Sequence, residues 1–215
     1  MPLNDFPRPY PVQFTGSAVA RWLLQCAGWQ VRFEGLPAAQ GVLAVYPHTS
    51  NWDFVVLVVV KWALGVPVRF WGKDSLFRVP VLGGWLRMLG GVPVHRTTAH
   101  GVVGQTADLL QQAHAHNAYC WLAVAPEGTR KYIPGWRSGF YRTALRAGVP
   151  LGLVRLDYRL REVTVLDFLQ LTGREIEDWR RIAHVYEGVT GCRPSQAAPI
   201  RLLDAQVPRS ETIVK

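Results

Sequence analysis

The sequence lacks several features that would assign it to a well-known class of protein. Its three cysteines, Cys26, Cys120 and Cys192, lie far apart, and no Cys-x-x-Cys or Cys/His cluster occurs. Neither a disulfide framework nor a zinc site is therefore indicated, and a reducing compartment fits best. The sequence also contains no Gly-x-Gly pair and no P-loop. The usual fingerprints of nucleotide-binding folds are thus absent.

Long apolar runs are also missing. The N-terminal stretch MPLNDFPRPYPVQF carries prolines where a signal peptide needs an apolar segment. The most apolar segment, FVVLVVV at 54–60, ends at Lys61. Because a membrane-spanning helix needs roughly 20 apolar residues, we expect the chain to lie on a bilayer at most, rather than to cross it.

Acidic residues are few: 15 against 24 basic residues, which gives a net charge of +9. Of the basic residues, 20 are arginine. Arginine presents a planar fork that suits phosphate and carboxylate groups. The charge therefore favours an anionic partner, which is nucleic acid, a phosphorylated metabolite or an anionic membrane. A merely solvated basic surface has the same composition.

Short β-type runs alternate with helix-like stretches over the 215 residues, without a repeat or a linker. This alternation predicts one domain, 1–215, with an α/β fold in which a mixed central sheet carries helices on both faces. Residues 1–16 are expected to form an irregular arm, and residues 192–215 a loose tail. The predicted strands are 42–46, 66–71, 92–95, 120–125 and a hairpin pair at 150–158 and 162–171, and the predicted helices are 17–30, 52–64, 75–90 (broken), 98–114, 138–148 and 174–187.

Two predicted helices have an apolar face. In 17–30 the spacing favours a helix packed on the core, and the alternative is an interfacial helix, which its two tryptophans and Arg21 would suit. In 174–187 the same spacing favours burial of one face. The predicted inward residues are Val19, Trp22, Leu23, Cys26 and Ala27 in the first helix, and Ile176, Trp179, Ile182, Ala183 and Tyr186 in the second.

The stretch YPHTSNWDF, residues 46–54, contains a histidine and an aspartate five positions apart. In a continuous helix these positions do not share a face, so His48 and Asp53 meet only if the chain turns between them. Pro47 ends a strand, and Thr-Ser-Asn supplies good N-cap residues for such a turn. Asp53 then lies in the first turn of the next helix. A carboxylate there can orient an imidazole as a general base.

Other interpretations of this stretch remain open. The histidine can be a chance residue in a surface loop, with Asp53 an ordinary capping residue. A metal site is disfavoured because no second histidine lies at ligand spacing. Ser50 is a poor nucleophile candidate because no Gly-x-Ser-x-Gly elbow surrounds it.

A second polar stretch, APEGTR, directly follows the fourth predicted strand, and strand ends are where α/β sheets place ligands. Glu127 can accept a hydrogen bond and Thr129 can donate one. Gly128 allows a ligand to approach the backbone closely, and the guanidinium group of Arg130 can bind a phosphate. A third stretch, GGVPVHR, places Arg96 just past another strand end. A routine turn on a basic surface would look similar.

The three stretches HTSNWD, GGVPVHR and PEGTR, in this order, resemble the glycerophospholipid acyltransferases. These enzymes are typified by lysophosphatidate acyltransferase, and the resemblance runs from about Val42 to Val154. The fourth motif is looser, since VPLGLV has Leu153 where a second proline is common. The resemblance implies that His48 is the general base and Asp53 its orienting partner, and that the polar acceptor is bound by Arg96, Glu127, Gly128 and Arg130.

The resemblance also implies a reaction. A fatty acyl group would move from an acyl-CoA or acyl carrier protein thioester to a hydroxyl of a lysophospholipid, glycerol phosphate or related lipid. No metal and no cofactor beyond the thioester is expected. The enzyme would be cytoplasmic and peripherally attached to the cytoplasmic face of an anionic membrane. The run Phe54–Val60, with Trp62, Phe70 and Trp71, could line an acyl groove, although simple core is the favoured interpretation.

Two other functions compete with acyl transfer. One is a non-catalytic basic protein that binds anionic membranes or nucleic acid, of which nucleic acid is disfavoured because no known binding motif occurs. The other is a thioesterase on the same fold, in which water rather than an alcohol attacks the thioester.

Overall fold

A computed structural model of the chain describes residues 4–94 and 99–203. These residues form seven α-helices, one short 3-10 helix and seven strands. The α-helices are α1 (Ala18–Cys26), α2 (Asn51–Leu64), α3 (Asp74–Phe77), α4 (Leu82–Met88), α5 (Ala99–Ala115), α6 (Gly139–Ala147) and α7 (Glu175–Val185). The strands are β1 (Gln30–Phe33), β2 (Gln40–Tyr46), β3 (Val68–Lys73), β4 (Gly91–Val94), β5 (Cys120–Val124), β6 (Leu151–Asp157) and β7 (Glu162–Leu169).

The described strands form one mixed sheet in the order β1-β7-β6-β2-β5-β3-β4. Strands β2 to β6 run parallel to one another. Strand β7 returns antiparallel to β6 as the predicted hairpin, and β1 lies parallel to β7 at the edge. The predicted α/β fold with a mixed central sheet is confirmed.

Helices cover both faces of this sheet, as predicted. On one face, α1 and α2 bury Ala20, Leu24 and Ala63 against a cluster that includes the fully buried Trp121. On the other face, α5, α6 and α7 pack on a second cluster around Trp136. The sheet is therefore apolar on both sides, as a largely parallel sheet requires.

Glycines in the left-handed region set the helix ends that position later elements. Gly65, with φ of 73°, closes α2, and Gly148, with φ of 67°, closes α6. Helix α1 ends at Cys26, and Gly28 follows with φ of 73°. The early stop frees residues 30–33 to form β1, a strand that the sequence analysis missed because it extended the helix to residue 30.

The predicted burial of α1 is wrong. All five residues expected to face the core, from Val19 to Ala27, are exposed, and the helix rests on Ala20 and Leu24 instead. Helix α1 packs beside α2, and no residue of the described ranges covers its broader apolar face. In α7, Ile176 is likewise 70% exposed, whereas Ile182 and Tyr186 are buried as predicted.

The segments outside the helices and strands also pack on the domain. Residues 4–16 form no helix or strand, yet Tyr10 is buried, with its ring 5.0 Å from that of Phe168. Residues 192–203 contain a short 3-10 helix, Pro194–Gln196, and the fully buried Ala198, so this part is not the loose tail that was expected. In the described ranges, no helix has the length and apolarity needed to span a membrane.

Candidate active site

Three loops meet where the neighbouring parallel strands β6, β2 and β5 end. The carboxyl ends of parallel strands lie at the same edge of a sheet. Strand β2 leads to His48, β5 leads to Glu127, and β6 leads to Tyr158. The register of β2 with both neighbours brings these loops together.

His48 and Asp53 are in contact. The Nδ1 of His48 lies 3.3 Å from Oδ2 of Asp53, and the His48 side chain keeps 19% of its surface exposed, whereas that of Asp53 is fully buried. The turn between them is a capping box: Ser50 is the N-cap of α2, and its hydroxyl accepts from the Trp52 amide at 3.2 Å. The contact between the histidine and the aspartate is therefore formed by local sequence.

The Asp53 carboxylate is held ionised. Its Oδ2 accepts from the amides of Thr49 and Ser50 at 2.7 and 2.8 Å. Burial alone would raise the pKa of Asp53, but the hydrogen bonds from His48, from the Ser50 amide and from Tyr158 outweigh it, and the pKa is lowered. A charged Asp53 fixes the N–H of His48 at Nδ1, which leaves Nε2 to accept a proton.

Tyr158 is a residue of this site that the sequence analysis missed. Its phenol has a pKa raised well above the ordinary value, first by burial and then by the hydrogen bond to Asp53. Its hydroxyl and the Asp53 Oδ1 are both buried. Within the described part of the chain, neither atom makes a well-aligned hydrogen bond. The two groups are thus close but imperfectly aligned. The only available sequence signal was that Tyr158 follows a strand.

Glu127 lies behind the histidine. It is 1% exposed, its Oε2 accepts from the His48 amide at 2.5 Å, and its Oε1 accepts from the Ala198 amide at 2.9 Å. Both oxygens are therefore occupied by backbone. Burial raises the pKa of Glu127 to about 7, with the two amides opposing the shift and the Asp53 charge adding to it.

This raised pKa makes stability depend on pH. The pKa in the fold, about 7, lies above the ordinary value of 4.5, so ionisation costs more in the native than in the unfolded state. Its contribution to stability is complete below about pH 4.5 and is lost as the pH rises through about 7. We expect the free energy of unfolding of Glu127→Gln, measured in urea, to fall less between about pH 5 and pH 8 than that of the wild type. Parallel curves for the two proteins would contradict this pKa.

The C-terminal segment joins the two motif loops. When the Gln196 amide is oriented with its nitrogen towards the neighbouring acceptors, this nitrogen donates to the carbonyls of Arg130 and Thr49, at 2.6 and 3.2 Å. The Arg193 amide donates to the Thr49 hydroxyl at 3.1 Å, and Ala198 contacts Glu127 as described. No pattern in the sequence predicted that residues 193–198 contact the two motif loops.

The other predicted binding residues surround Glu127. Gly128 takes a φ of 63°, and an added Cβ would lie 3.2 Å from the side chain of Arg137. The Thr129 hydroxyl accepts from the Lys131 amide at 3.3 Å, and Arg130 is exposed. These residues form one rim next to His48. The remaining predicted residue, Arg96, lies outside the described residues.

An apolar cavity of about 170 Å³ lies between α2 and the sheet. His48 lines it together with Phe54 and Leu57 of α2 and with Ala123 of β5. Phe70 and Trp71 also line it, as the groove interpretation requires, but Trp62 does not and is exposed. Lys61 lines another part of the wall, where its Nζ donates to the Leu89 carbonyl at 2.5 Å and burial lowers its pKa.

The chain is similar to known proteins in sequence and in fold. The sequence model of the family described as Acyltransferase matches residues 29–154. The fold is similar to the crystal structure of the 1-acyl-sn-glycerophosphate acyltransferase PlsC from Thermotoga maritima, with a TM-score of 0.51 and 18% identity over 77% of this chain and 73% of that one. A search of curated proteins found no match. The family match includes His48, Asp53 and Glu127.

Proposed function

Because the chain belongs to the acyltransferase family, we propose that it moves a fatty acyl group from a thioester to a hydroxyl of a lipid acceptor. The donor would be an acyl-CoA or an acyl carrier protein. The acceptor would be a lysophospholipid, glycerol phosphate or related lipid. The observation that carries this proposal is the His48–Asp53 contact beside the apolar cavity.

The reaction follows from this contact. Nε2 of His48 takes the proton of the acceptor hydroxyl while its oxygen attacks the thioester carbonyl, and Asp53 stabilises the imidazolium that forms. The tetrahedral intermediate collapses, the C–S bond breaks, and the thiolate leaves with the proton from His48. The acceptor is itself the nucleophile, so no covalent enzyme intermediate forms. The partial positive charge at the N-terminus of α2 favours the oxyanion.

The substrates occupy two parts of the site in this proposal. The acyl chain enters the cavity beneath α2, whose lining is almost wholly apolar. The polar acceptor lies on the rim that carries Gly128, Thr129 and Arg130, with Arg130 as the phosphate fork. Glu127 shapes this rim from behind, since its carboxylate holds the His48 amide rather than facing solvent.

Tyr158 acts as a positioning residue for Asp53. Tyr158→Phe removes the buried hydroxyl beside Asp53 that helps to lower the pKa of this carboxyl, so the acid limb of the pH profile of kcat should move up. The shift is upward because the remaining partners of Asp53, His48 and the Ser50 amide, stabilise the ionised carboxylate less than they do together with Tyr158. We expect the KM values of both substrates to stay unchanged.

The matched control is Tyr119→Phe. The Tyr119 hydroxyl is also buried without a hydrogen-bond partner among the described residues, but its ring packs on Phe14, away from the site. This variant should keep the wild-type pH profile. An unshifted acid limb in Tyr158→Phe, or an equal shift in both variants, would remove Tyr158 from the mechanism.

Acyl transfer is tested by thiol release from a long-chain acyl-CoA with a panel of lysophospholipids and other lipid alcohols. Release that depends on an acceptor, with formation of the acylated lipid, is the expected result. Release at the same rate without acceptor would indicate a thioesterase. An absence of release, with an acyl carrier protein donor also tried, would favour a non-catalytic binding protein.

A further inference from the structure

Helix α2 presents an apolar face to solvent. Its sequence, NWDFVVLVVVKWAL, is mostly apolar, and Val60 and Ala63 are buried in the cluster that covers this face of the sheet. Trp52 and Trp62 on the outer side are 65% and 47% exposed, with Val55 exposed between them. Positions 52, 55 and 62 share one face of a helix. A helix of this composition is ordinarily covered on every side.

Helix α1 continues this surface. It packs beside α2, where the Ser17 amide donates to the Trp62 carbonyl at 2.8 Å and Arg21 donates to the Ala63 carbonyl at 3.2 Å. Its exposed face carries Val19, Leu23 and Trp22, which is 60% exposed. These are residues whose spacing suggested core, yet no described part of the protein covers them.

Helix α4 extends this surface next to the N-terminal part of α2. The ring of Trp85 lies 6.2 Å from that of Phe54, and both Trp85 and Met88 are exposed. Val81, just before α4, is 89% exposed. We use the term outer face for the large exposed apolar residues of these three helices together with Val81: Val19, Trp22, Leu23, Trp52, Val55, Trp62, Val81, Trp85 and Met88.

The charges around the outer face are cationic. Helices α1 and α4 contribute Arg21 and Arg87, and Asp53, the one carboxylate of α1, α2 and α4, is fully buried. Tryptophan with arginine and lysine is the composition that binds at the boundary of anionic lipid headgroups. A second copy of this chain would bring its own cations against the same ones, so the charge favours lipid over a dimer.

We infer that the outer face is the membrane-docking surface of this protein, and that it binds the headgroup region of an anionic lipid bilayer. Helix α2 would lie in the plane of the interface with the acyl cavity on its inner side. Trp52 would then rest on the lipid within one helical turn of the loop that holds His48. This inference rests on the proposed function for the origin of the acceptor, which would be a lipid of the same bilayer.

The test measures binding without substrates. The full chain is mixed with vesicles of phosphatidylcholine alone or with added phosphatidylglycerol, and the bound fraction is measured by flotation. The wild type should bind the anionic vesicles and bind less as salt rises. Trp22→Glu and Trp62→Glu should each need at least about fivefold more lipid for half-binding, because each adds a negative charge at the surface and removes a tryptophan.

The matched control is Ile176→Glu, which places the same charge at a 70% exposed apolar position on α7, across the sheet. It should bind as the wild type does. Failure of the wild type to bind either vesicle, or equal weakening in Ile176→Glu, would overturn the inference. A wild-type dimer that becomes monomeric in the tryptophan variants would assign the surface to self-association instead.

A catalytically dead variant separates this inference from the proposed function. His48→Ala leaves the outer face unchanged, so it should bind vesicles as tightly as the wild type. Vesicle binding with no acyl transfer by the wild type would defeat the proposed function and leave the docking surface standing. Transfer to a dispersed acceptor without vesicle binding would do the reverse.

Discussion

Replacing His48 with alanine should reduce acceptor-dependent thiol release by about 10²–10⁴-fold, the usual contribution of a general base. The loss should appear in kcat, because the acceptor hydroxyl keeps its proton when no base is present. The KM of the thioester should change little. The measurement is steady-state release of thiol from a long-chain acyl-CoA, with the preferred acceptor at saturation.

The fold should survive this substitution. The His48 side chain is partly exposed, and the contact that ties its loop to Glu127 uses the backbone amide, which alanine keeps. Asp53→Ala is a less clean test, because its carboxylate also accepts the amides of Thr49 and Ser50. His184→Ala, at an exposed position on α7, should retain full activity. Near-wild-type activity in a well-folded His48→Ala would refute the proposed mechanism.

Filling the cavity should change donor selectivity more than any other substitution. Ala123→Phe places an aromatic ring in the cavity that His48 lines, so long acyl chains lose their space. Adding a large side chain to a filled core lowers the free energy of unfolding by about 1–3 kcal/mol. The loss should be smaller here because the ring enters a cavity. We expect kcat/KM for a long-chain acyl-CoA to fall by roughly 10²-fold, which corresponds to about 2.7 kcal/mol of lost chain binding.

Short-chain donors distinguish a blocked cavity from a damaged site. Acetyl-CoA or butyryl-CoA should be used by Ala123→Phe at nearly the wild-type rate, because the chemistry at His48 is untouched. Ala115→Phe, at the exposed end of α5, should leave both donors unaffected. An equal loss for short and long donors would show that the chain does not occupy this cavity.

The fold class and the contact between His48 and Asp53 could be predicted from the sequence because both depend on local patterns of residues. The capping residues Thr-Ser-Asn place the turn that brings His48 to Asp53, and the structure confirms this contact at 3.3 Å. Alternating strand and helix patterns gave the α/β sheet and the β6–β7 hairpin. Strand β1 was not predicted because the predicted helix 17–30 was extended past Gly28, the glycine that follows the end of α1.

Burial was harder to predict because the spacing of apolar residues along a helix does not show which part of the protein covers the apolar face. In α7 the pattern faced the core, except for Ile176. In α1 the same kind of pattern faces solvent, because this helix packs beside α2 and places only Ala20 and Leu24 in the core cluster. Only the position of the helix in the tertiary structure decides between these outcomes.

The sequence by itself determined the α/β pattern and placed a histidine and an aspartate at a strand end, since those features depend on residues a few positions apart. The resemblance of its three motifs to the glycerophospholipid acyltransferases indicated the family, which the family match confirms. Tertiary structure alone decided the surroundings of that pair. Tyr158 meets Asp53 because β6 lies beside β2, and Ala198 meets Glu127 across 71 residues of sequence. Contacts of that range depend on strand order and on chain packing, which no local pattern encodes.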